Sequence, residues 1–232
     1  SRYRGKRVTS KHLPLGLLDM PADFVNAYVL GNIGSTGGNA GACATFLYSL
    51  RQGLDDIRTG RARVVIIGSS EAPILPDVIE GFAAMGALAE DKALLALDAD
   101  KGRTVPDWRR AARPFSNNCG FTIAEGAQYI ILMDDELALQ LGANIFGAVT
   151  DVFVNADGFK KSISGPGAGN YVTVAKACAT VRALLGEESL RRRSFVQAHG
   201  TSTPQNRVSE SHIFNETAKT FGIEQWRVAA IK

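Results

Sequence analysis

Apolar runs of strand length alternate with helix-period apolar stripes along this chain of 232 residues, and that alternation limits the folds open to it. Residues 43–58 carry apolar side chains at helical spacing, and the run "RVVIIG" (Arg63 to Gly68) that follows is typical of a buried strand. Short strands are also predicted over residues 194–198 and at the C-terminal "RVAAIK". Buried strands that alternate with helices predict an α/β layered fold.

The remaining elements complete that pattern. No low-complexity linker interrupts the chain, so we expect a single domain over residues 1–232. The glycine-rich stretch "SISGPGAGN" (residues 162–170) predicts a turn that opens a helix. Further helices are predicted over residues 75–88, 134–141, 171–185 and 207–221, and further strands over residues 121–133 and 144–155.

Composition excludes several classes of protein. The formal net charge of +3 is too small to indicate nucleic-acid binding but is compatible with an acidic protein partner. No apolar run has membrane-spanning length and no signal pattern opens the chain, so no membrane association is expected. Three separated cysteines without metal-ligand spacing argue against a disulfide framework or a metal site and favour a cytoplasmic location.

The sequence "ACAT" occurs twice, each time with its cysteine on the apolar stripe of a predicted helix. Cys43 follows "GNIGSTGGNAGA", so it lies at or near a helix N-terminus, where free amides and the helix dipole stabilise a thiolate. Cys178 lies two turns inside its helix beside Val174 and Val181, which predicts a core position. For Cys43 the local pattern is compatible with two roles, a catalytic nucleophile and a small packed side chain.

A nucleophilic thiol needs a partner that handles protons or charge, and the chain has three histidines, His12, His199 and His212. His199 ends a short apolar strand and opens "HGTSTP", and strand ends are where α/β folds bind ligands. His212 falls in a polar helix and His12 in an irregular stretch. His199 is therefore the candidate, with a functional and a structural role both open for it.

Four segments, taken in order, carry a more specific pattern. Together they resemble the condensing enzymes of the β-ketoacyl-acyl carrier protein synthase family, ketosynthases of the I/II type within the thiolase superfamily. The resemblance implies a thiolase-like layered α-β-α-β-α fold. The segments run from Ala42 to Ala89 ("ACATFLYSL" to "MGALA"), from Arg113 to Ala127 ("RPFSNNCGFTIAEGA"), from Val196 to Glu210 ("VQAHGTSTPQNRVSE") and from Val228 to Lys232 ("VAAIK").

The resemblance implies catalytic roles for four residues. Cys43 matches the nucleophile that takes the acyl group as a thioester. His199 matches the first of two histidines that promote decarboxylation of a malonyl thioester and stabilise the enolate. Lys232 matches the lysine that orders the site electrostatically, and Glu210 matches the glutamate that supports it.

Three further residues are implied to bind substrate. Phe121 matches the gate between the acyl pocket and the site entrance, and Thr201 and Thr203 match hydroxyls that hydrogen-bond the pantetheine arm. No metal is implied, and no cofactor beyond the phosphopantetheine that arrives on the carrier protein.

The resemblance covers nearly all of the chain, but the chain corresponds only to a central portion of such a synthase. The family's N-terminal portion, its second catalytic histidine and the glycine-rich loop of its oxyanion hole would lie outside residues 1–232, so we expect a fold truncated at both ends. The chain also carries "GGNAGAC" where the family usually has a "TVSTAC"-like run, and Ser116 to Cys119 stand where many members carry charged residues.

The implied enzyme is an acyltransferase, a 3-oxoacyl-acyl carrier protein synthase that condenses an acyl thioester with malonyl-carrier protein in fatty acid synthesis. The implied partners are acyl carrier protein and a second copy of the chain. A ketosynthase of polyketide or polyunsaturated fatty acid synthesis is the alternative; a non-catalytic chain-length subunit is less favoured because such subunits typically lack the nucleophile. The basic run Arg191 to Arg193, with Arg109 and Arg110, suits either a solvated surface or a docking site for an acidic carrier.

Overall fold

The computed structural model describes residues 9–160 and 165–231, so Lys232 lies outside the described residues. Seven α-helices and four strands are assigned within these ranges. The helices are α1 (Met20–Val25), α2 (Thr45–Arg58), α3 (Pro76–Ala84), α4 (Asp91–Leu97), α5 (Asp135–Gln140), α6 (Ala168–Glu188) and α7 (Pro204–Phe221); the strands are β1 (Val64–Glu71), β2 (Gly126–Met133), β3 (Phe195–Gln197) and β4 (Arg227–Ala229). Short 3₁₀ turns cover Ser10–His12, Pro14–Gly16, Ala42–Ala44, Ala99–Lys101 and Trp108–Arg110, and π-helical turns cover Asn26–Leu30 and Ser189–Arg193.

The chain forms two compact units, and the first comprises Ser1–Glu71 and Gly126–Val152. Its centre is an antiparallel pair in which β1 and β2 run in register from Val64 opposite Met133 to Glu71 opposite Gly126. Helix α2 packs on β1, with buried Gly53 facing the side chain of Ile67. The β-branched run of β1 and the apolar stripe of α2 therefore meet as the alternation predicts.

The second unit comprises Ala72–Glu125 and Phe153–Lys232. Strands β3 and β4 pair in parallel, Val196 opposite Val228. Helices α6 and α7 pack together, and Trp226 lies against the core that they help to form. The buried members of that core are Cys178, Leu190, Phe221 and Ile223.

Helix α7 shows how local sequence sets its ends. Thr203 is its N-cap and accepts a hydrogen bond from the Asn206 amide, and Pro204 occupies the first turn. Gly222 closes the helix in a left-handed conformation at φ 64°. A hydroxyl cap, an N-terminal proline and a C-terminal glycine are the signals that start and stop helices. The helix fixes the position of the loop that precedes it, which contains His199.

Two sequence-based expectations differ from the structure. Residues 144–155, all of them described, form no strand, so that prediction is wrong; an apolar run becomes a strand only when a neighbouring backbone pairs with it. The strand expected over residues 121–133 begins at Gly126, and Phe121 makes an isolated parallel bridge with Leu88 instead. The short helix α4 was not predicted from the sequence.

Candidate active site

Cys43 lies in the 3₁₀ turn Ala42–Ala44 that leads directly into α2. Its thiol is exposed. The prediction that Cys43 lies at a helix N-terminus is therefore confirmed. Since α2 is 14 residues long, its N-terminal end presents the positive end of a full helix dipole to a group at this position. That environment favours negative oxygens that develop beside the thiol.

The backbone before Cys43 is strained. Ala42 has φ 47°, in the left-handed region that non-glycine residues rarely adopt. Hydrogen bonds on either side hold the turn: the Gly41 amide donates to Thr45 Oγ1 (2.9 Å), and that hydroxyl donates to the Ala42 carbonyl (2.8 Å). Thr45 therefore bridges both residues that precede the cysteine, and the sharp turn exposes the thiol.

His199 follows β3, and its main chain is fixed by Glu210 of α7. One carboxylate oxygen of Glu210 accepts from the His199 amide (2.8 Å) and the other from the Gly200 amide (2.7 Å). Glu210 is buried, so these charge-assisted bonds form away from solvent. In this structure Glu210 holds the histidine backbone; the support of Lys232 that the resemblance implies for it stays a prediction, because Lys232 lies outside the described residues.

Gly200 must be a glycine for two reasons. Its φ is +50°, and a Cβ at this position would collide with the Cβ of Ala230 and lie 3.0 Å from the Cβ of Pro114. The backbone after His199 therefore passes close to both neighbouring segments. This close approach explains why glycine follows the histidine in "HGTSTP".

Thr201 and Thr203 lie together in the same loop. Their hydroxyl oxygens are 2.9 Å apart, and the Thr201 amide donates to Oδ1 of Asn206 (2.8 Å). Thr201 is buried and Thr203 is partly buried. His199 and the two threonines therefore lie in one short loop, which Glu210 and Asn206 of α7 hold through its backbone amides. Their proposed contact with a pantetheine arm stays a prediction.

Phe121 lies at the end of the segment 113–121, called here the gate segment. Its ring packs edge-on against Phe82, with ring centroids 5.2 Å apart. Its amide donates to the Ala87 carbonyl and its carbonyl accepts from the Ala89 amide, each at 2.9 Å. The Phe121 backbone is thus bound on both sides to residues after α3. Its role as a gate stays a prediction.

A cluster around Asp98 was not found by sequence reasoning. Asp98 is 2% exposed and accepts hydrogen bonds from Lys101 (3.0 Å), Arg110 (3.2 Å) and Arg113 (2.8 Å). Although burial alone would raise the pKa of Asp98, hydrogen bonds from these three cations hold that pKa well below its usual range. The available signal was a single acid followed by several basic residues, which is too common to identify a buried ion cluster.

The basic residues considered for carrier docking occupy different environments. Arg110 binds buried Asp98, whereas the Arg109 side chain is 93% exposed and pairs with Asp107, two residues earlier (3.5 Å). Arg191 donates to the Phe221 carbonyl (3.1 Å) and pairs with Glu187 (2.9 Å). Arg110 and Arg191 are therefore bound to other groups of the chain, whereas Arg109 lies on the surface.

The other two cysteines differ from Cys43 in burial. Cys178 lies in the core of the second unit, where burial raises the pKa of its thiol to about 11. The core position predicted for Cys178 is confirmed. Cys119, in the gate segment, is partly buried; burial raises the pKa of its thiol and nearby Arg113 opposes that shift. Neither thiol has the environment that favours a nucleophile at neutral pH.

Cys43 belongs to the first unit, and the other described candidates belong to the second. Within residues 9–160 and 165–231, no group of three or more histidine, cysteine, aspartate or glutamate side chains is arranged to hold a metal ion. None of the helices in the described part of the chain is long and apolar enough to cross a membrane.

The first unit carries a thiol at a helix start, and the second carries a histidine loop bound by a buried glutamate and a segment that ends in Phe121. Residues 20–138 match the family model of the beta-ketoacyl synthase, N-terminal domain. The chain belongs to the beta-ketoacyl synthase family, which confirms the resemblance drawn from its motifs.

Similar proteins extend this assignment. Beta-ketoacyl-[acyl-carrier-protein] synthase FabY of Pseudomonas aeruginosa is 61% identical over all 232 residues, which span 36% of FabY. The 3-oxoacyl-[acyl-carrier-protein] synthase 2 of Staphylococcus aureus is 29% identical over 92% of this chain and 50% of its own length. The chain therefore spans at most about half of these relatives.

Solved structures establish the fold. The crystal structure of the noncanonical ketosynthase FabY from P. aeruginosa matches all of this chain with a TM-score of 0.93. The type II PKS ketosynthase of the AntDE:AntF complex, bound to its acyl-carrier protein and a hexaketide, matches 97% of the chain at 25% identity with a TM-score of 0.71. The predicted thiolase-like α/β fold is thereby confirmed, and the chain covers 36% of the FabY chain.

Proposed function

We propose that the protein carrying this chain catalyses the decarboxylative condensation of an acyl thioester with malonyl-acyl carrier protein in fatty acid synthesis. The observation that carries the proposal is the exposed thiol of Cys43 at the start of α2, directly after the strained Ala42. The 61% identity to a beta-ketoacyl-[acyl-carrier-protein] synthase supports the reaction type.

The first step is transfer of the acyl group to Cys43. The thiolate attacks the carbonyl carbon of the incoming thioester, a carbon–sulfur bond to Cys43 forms, and the bond to the carrier sulfur breaks. The released carrier thiolate takes up a proton. Amides at a helix start suit the negative oxygen of the tetrahedral intermediate, because they donate hydrogen bonds that cost no reorganisation.

The second step makes the carbon nucleophile. Loss of carbon dioxide from the malonyl thioester leaves its bonding electrons in an enolate, and the enolate carbon attacks the Cys43 thioester. A carbon–carbon bond forms and the Cys43 thiolate is released. In the proposal the His199 imidazole donates an N–H to the enolate oxygen, and the two Glu210 bonds keep its backbone fixed while charge develops. These steps require no cofactor resident in the protein.

Intact-protein mass spectrometry with acyl-acyl carrier protein tests the acyl-enzyme. We expect the wild type and Cys178→Ala to gain the mass of one acyl group and Cys43→Ala to gain none. Cys178→Ala is a matched control because its cysteine has the same flanking letters. Acylation that persists in Cys43→Ala and disappears in Cys178→Ala would overturn the assignment.

A ketosynthase of polyketide synthesis is a second candidate, favoured by the structural similarity to the type II PKS ketosynthase. The much higher identity to FabY favours fatty acid synthesis. Product analysis with malonyl-carrier protein separates the two: one condensation per acyl group supports the first, and repeated condensation without reduction supports the second. For either we propose acyl carrier protein as partner and a homodimer as the active assembly, which light scattering of the complete protein tests.

A further inference from the structure

Ser202 is a fully buried polar residue of the second unit. It is 0% exposed and has φ 61°, a left-handed conformation that serine adopts at a cost. It lies between Thr201 and Thr203, in the loop that begins at His199. A buried, strained serine in such a loop persists only where the surrounding contacts require it.

Ser202 binds the gate segment at both of its ends. The Arg113 amide donates to Ser202 Oγ (2.8 Å), and the Gly120 amide donates to the Ser202 carbonyl (2.9 Å). Arg113 opens the gate segment, and Gly120 directly precedes Phe121. One residue of the histidine loop therefore closes an eight-residue stretch, from Arg113 to Gly120, into a fixed loop.

The contacts at Gly120 leave little freedom for the following phenylalanine. Gly120 has φ 146°, and a Cβ there would lie 2.5 Å from the Ala87 carbonyl oxygen. The backbone of Gly120 is thus held between Ser202 on one side and residues 87–89 on the other. A displacement of Ser202 would therefore move the backbone that carries Phe121.

Two further contacts hold the gate segment from outside. The Arg113 side chain donates to buried Asp98 (2.8 Å), and the Arg207 side chain, from α7, donates to the Ser116 carbonyl (2.5 Å). Within the segment, Asn118 donates to the Arg113 carbonyl (2.9 Å). These bonds stiffen the segment, but only Ser202 contacts it at both ends among the described residues.

We propose that Ser202 is a positioning residue that fixes the position of Phe121 relative to the Thr201 and Thr203 hydroxyls. The gate residue and the two threonines that would bind the thioester arm therefore move together. This inference rests on the proposed function for the roles of Phe121 and the two threonines. Ser202 itself touches no reacting atom; it acts through the gate segment.

The test combines hydrogen–deuterium exchange with acylation kinetics on Ser202→Ala in the complete protein. We expect the Arg113 amide, which loses its acceptor, to exchange about tenfold faster, since loss of one buried hydrogen bond changes an opening equilibrium by about an order of magnitude. The Gly120 amide keeps its acceptor, the Ser202 carbonyl, and should also exchange faster because that carbonyl is no longer fixed by the Oγ bond. Acylation of Cys43 by acyl-acyl carrier protein should slow by about tenfold at saturating substrate, and KM should rise. Exposed Ser211 on α7 supplies the matched control Ser211→Ala, which should change neither.

Ser202→Gly separates the hydroxyl from the backbone strain. Glycine adopts φ 61° without penalty but lacks Oγ, so stability should recover relative to Ser202→Ala while the faster exchange and slower acylation remain. Faster exchange confined to Arg113, with Gly120 and acylation unchanged, would overturn the proposal. If the wild type shows no acylation, the proposed function fails, while the exchange at Gly120 still decides whether Ser202 positions the gate segment.

Discussion

At the scale of single residues, the site depends on backbone atoms as much as on side chains. Glu210 uses both carboxylate oxygens to bind the amides of His199 and Gly200. The main chain of the histidine is thus held by a residue eleven positions later in the sequence. Its exposed imidazole is carried on a fixed loop.

Glu210→Gln should lower the free energy of unfolding by about 2 kcal/mol. The glutamine amide group presents N–H donors where a carboxylate oxygen accepted, which leaves one loop amide without a partner. Chemical denaturation of the variant measures this loss. Glu224→Gln, at an exposed position, is the control, and equal midpoints for the two variants would contradict the expectation.

The sequence predicted where Cys43 and His199 lie better than it predicted their contacts. A cysteine before a helix and a histidine after a strand are local patterns, so both placements follow from the sequence, whereas the catalytic roles rest on the family resemblance and stay predictions. The partners of Ser202 lie 89 and 82 residues away, counted from Arg113 and Gly120, and no local period links them. Contacts between backbone amides and acceptors that are distant in the sequence depend on tertiary packing, so they cannot be predicted from composition or local pattern.

At the scale of elements, the ends of α7 position the histidine loop. Thr203 caps the helix through Asn206, and its hydroxyl also contacts that of Thr201. Element prediction succeeded where such caps or long periodic stripes exist, as for α2 and α7. It failed for α4, which has only seven residues and no full apolar period, and for residues 144–155, which lack a pairing partner.

Thr203→Ala should lower the free energy of unfolding by about 1 kcal/mol, the usual cost of removing an N-cap hydroxyl. Thr203→Ser keeps the hydroxyl and should remain close to the wild type. Thermal or chemical unfolding of the three proteins gives the comparison. A serine variant as unstable as the alanine variant would show that the methyl group, and not the cap, is responsible.

The Asp98 cluster links the region after α4 to the gate segment and should show a defined pH dependence. Because the folded-state pKa of Asp98 lies below the unfolded value of about 3.9, its stabilising contribution is complete above that value and is lost as pH falls toward the folded pKa. The melting temperatures of wild type and Asp98→Asn should therefore differ most at pH 7 and 5, and the difference should begin to narrow below about pH 4. Asp100→Asn, at an exposed position, should follow the wild type; a gap that widens on acidification would contradict the assignment.

At the scale of the whole molecule, the three free cysteines occupy three different environments. Cys43 is exposed, Cys119 is partly buried and Cys178 is buried. The difference in burial distinguishes Cys43 from Cys178 more clearly than the flanking residues do, because both cysteines lie in the sequence "ACAT".

Alkylation with iodoacetamide at pH 7.5 should modify Cys43 first, Cys119 more slowly and Cys178 only after denaturation. The order follows from access and from the raised pKa of the Cys119 and Cys178 thiols. Peptide mass spectrometry over a time course measures it. Modification of Cys178 in the native protein at the rate of Cys43 would contradict the structure.

The left-handed backbone of Ala42 makes this position a target for thermostability engineering. Ala42→Gly should stabilise the protein by up to about 1 kcal/mol, because glycine adopts φ 47° without the clash of a Cβ, although its greater freedom in the unfolded chain offsets part of the gain. A higher melting temperature with slower acylation would show that stability and the proposed acylation of Cys43 oppose each other at Ala42. A screen for stability alone would then select variants with lower activity.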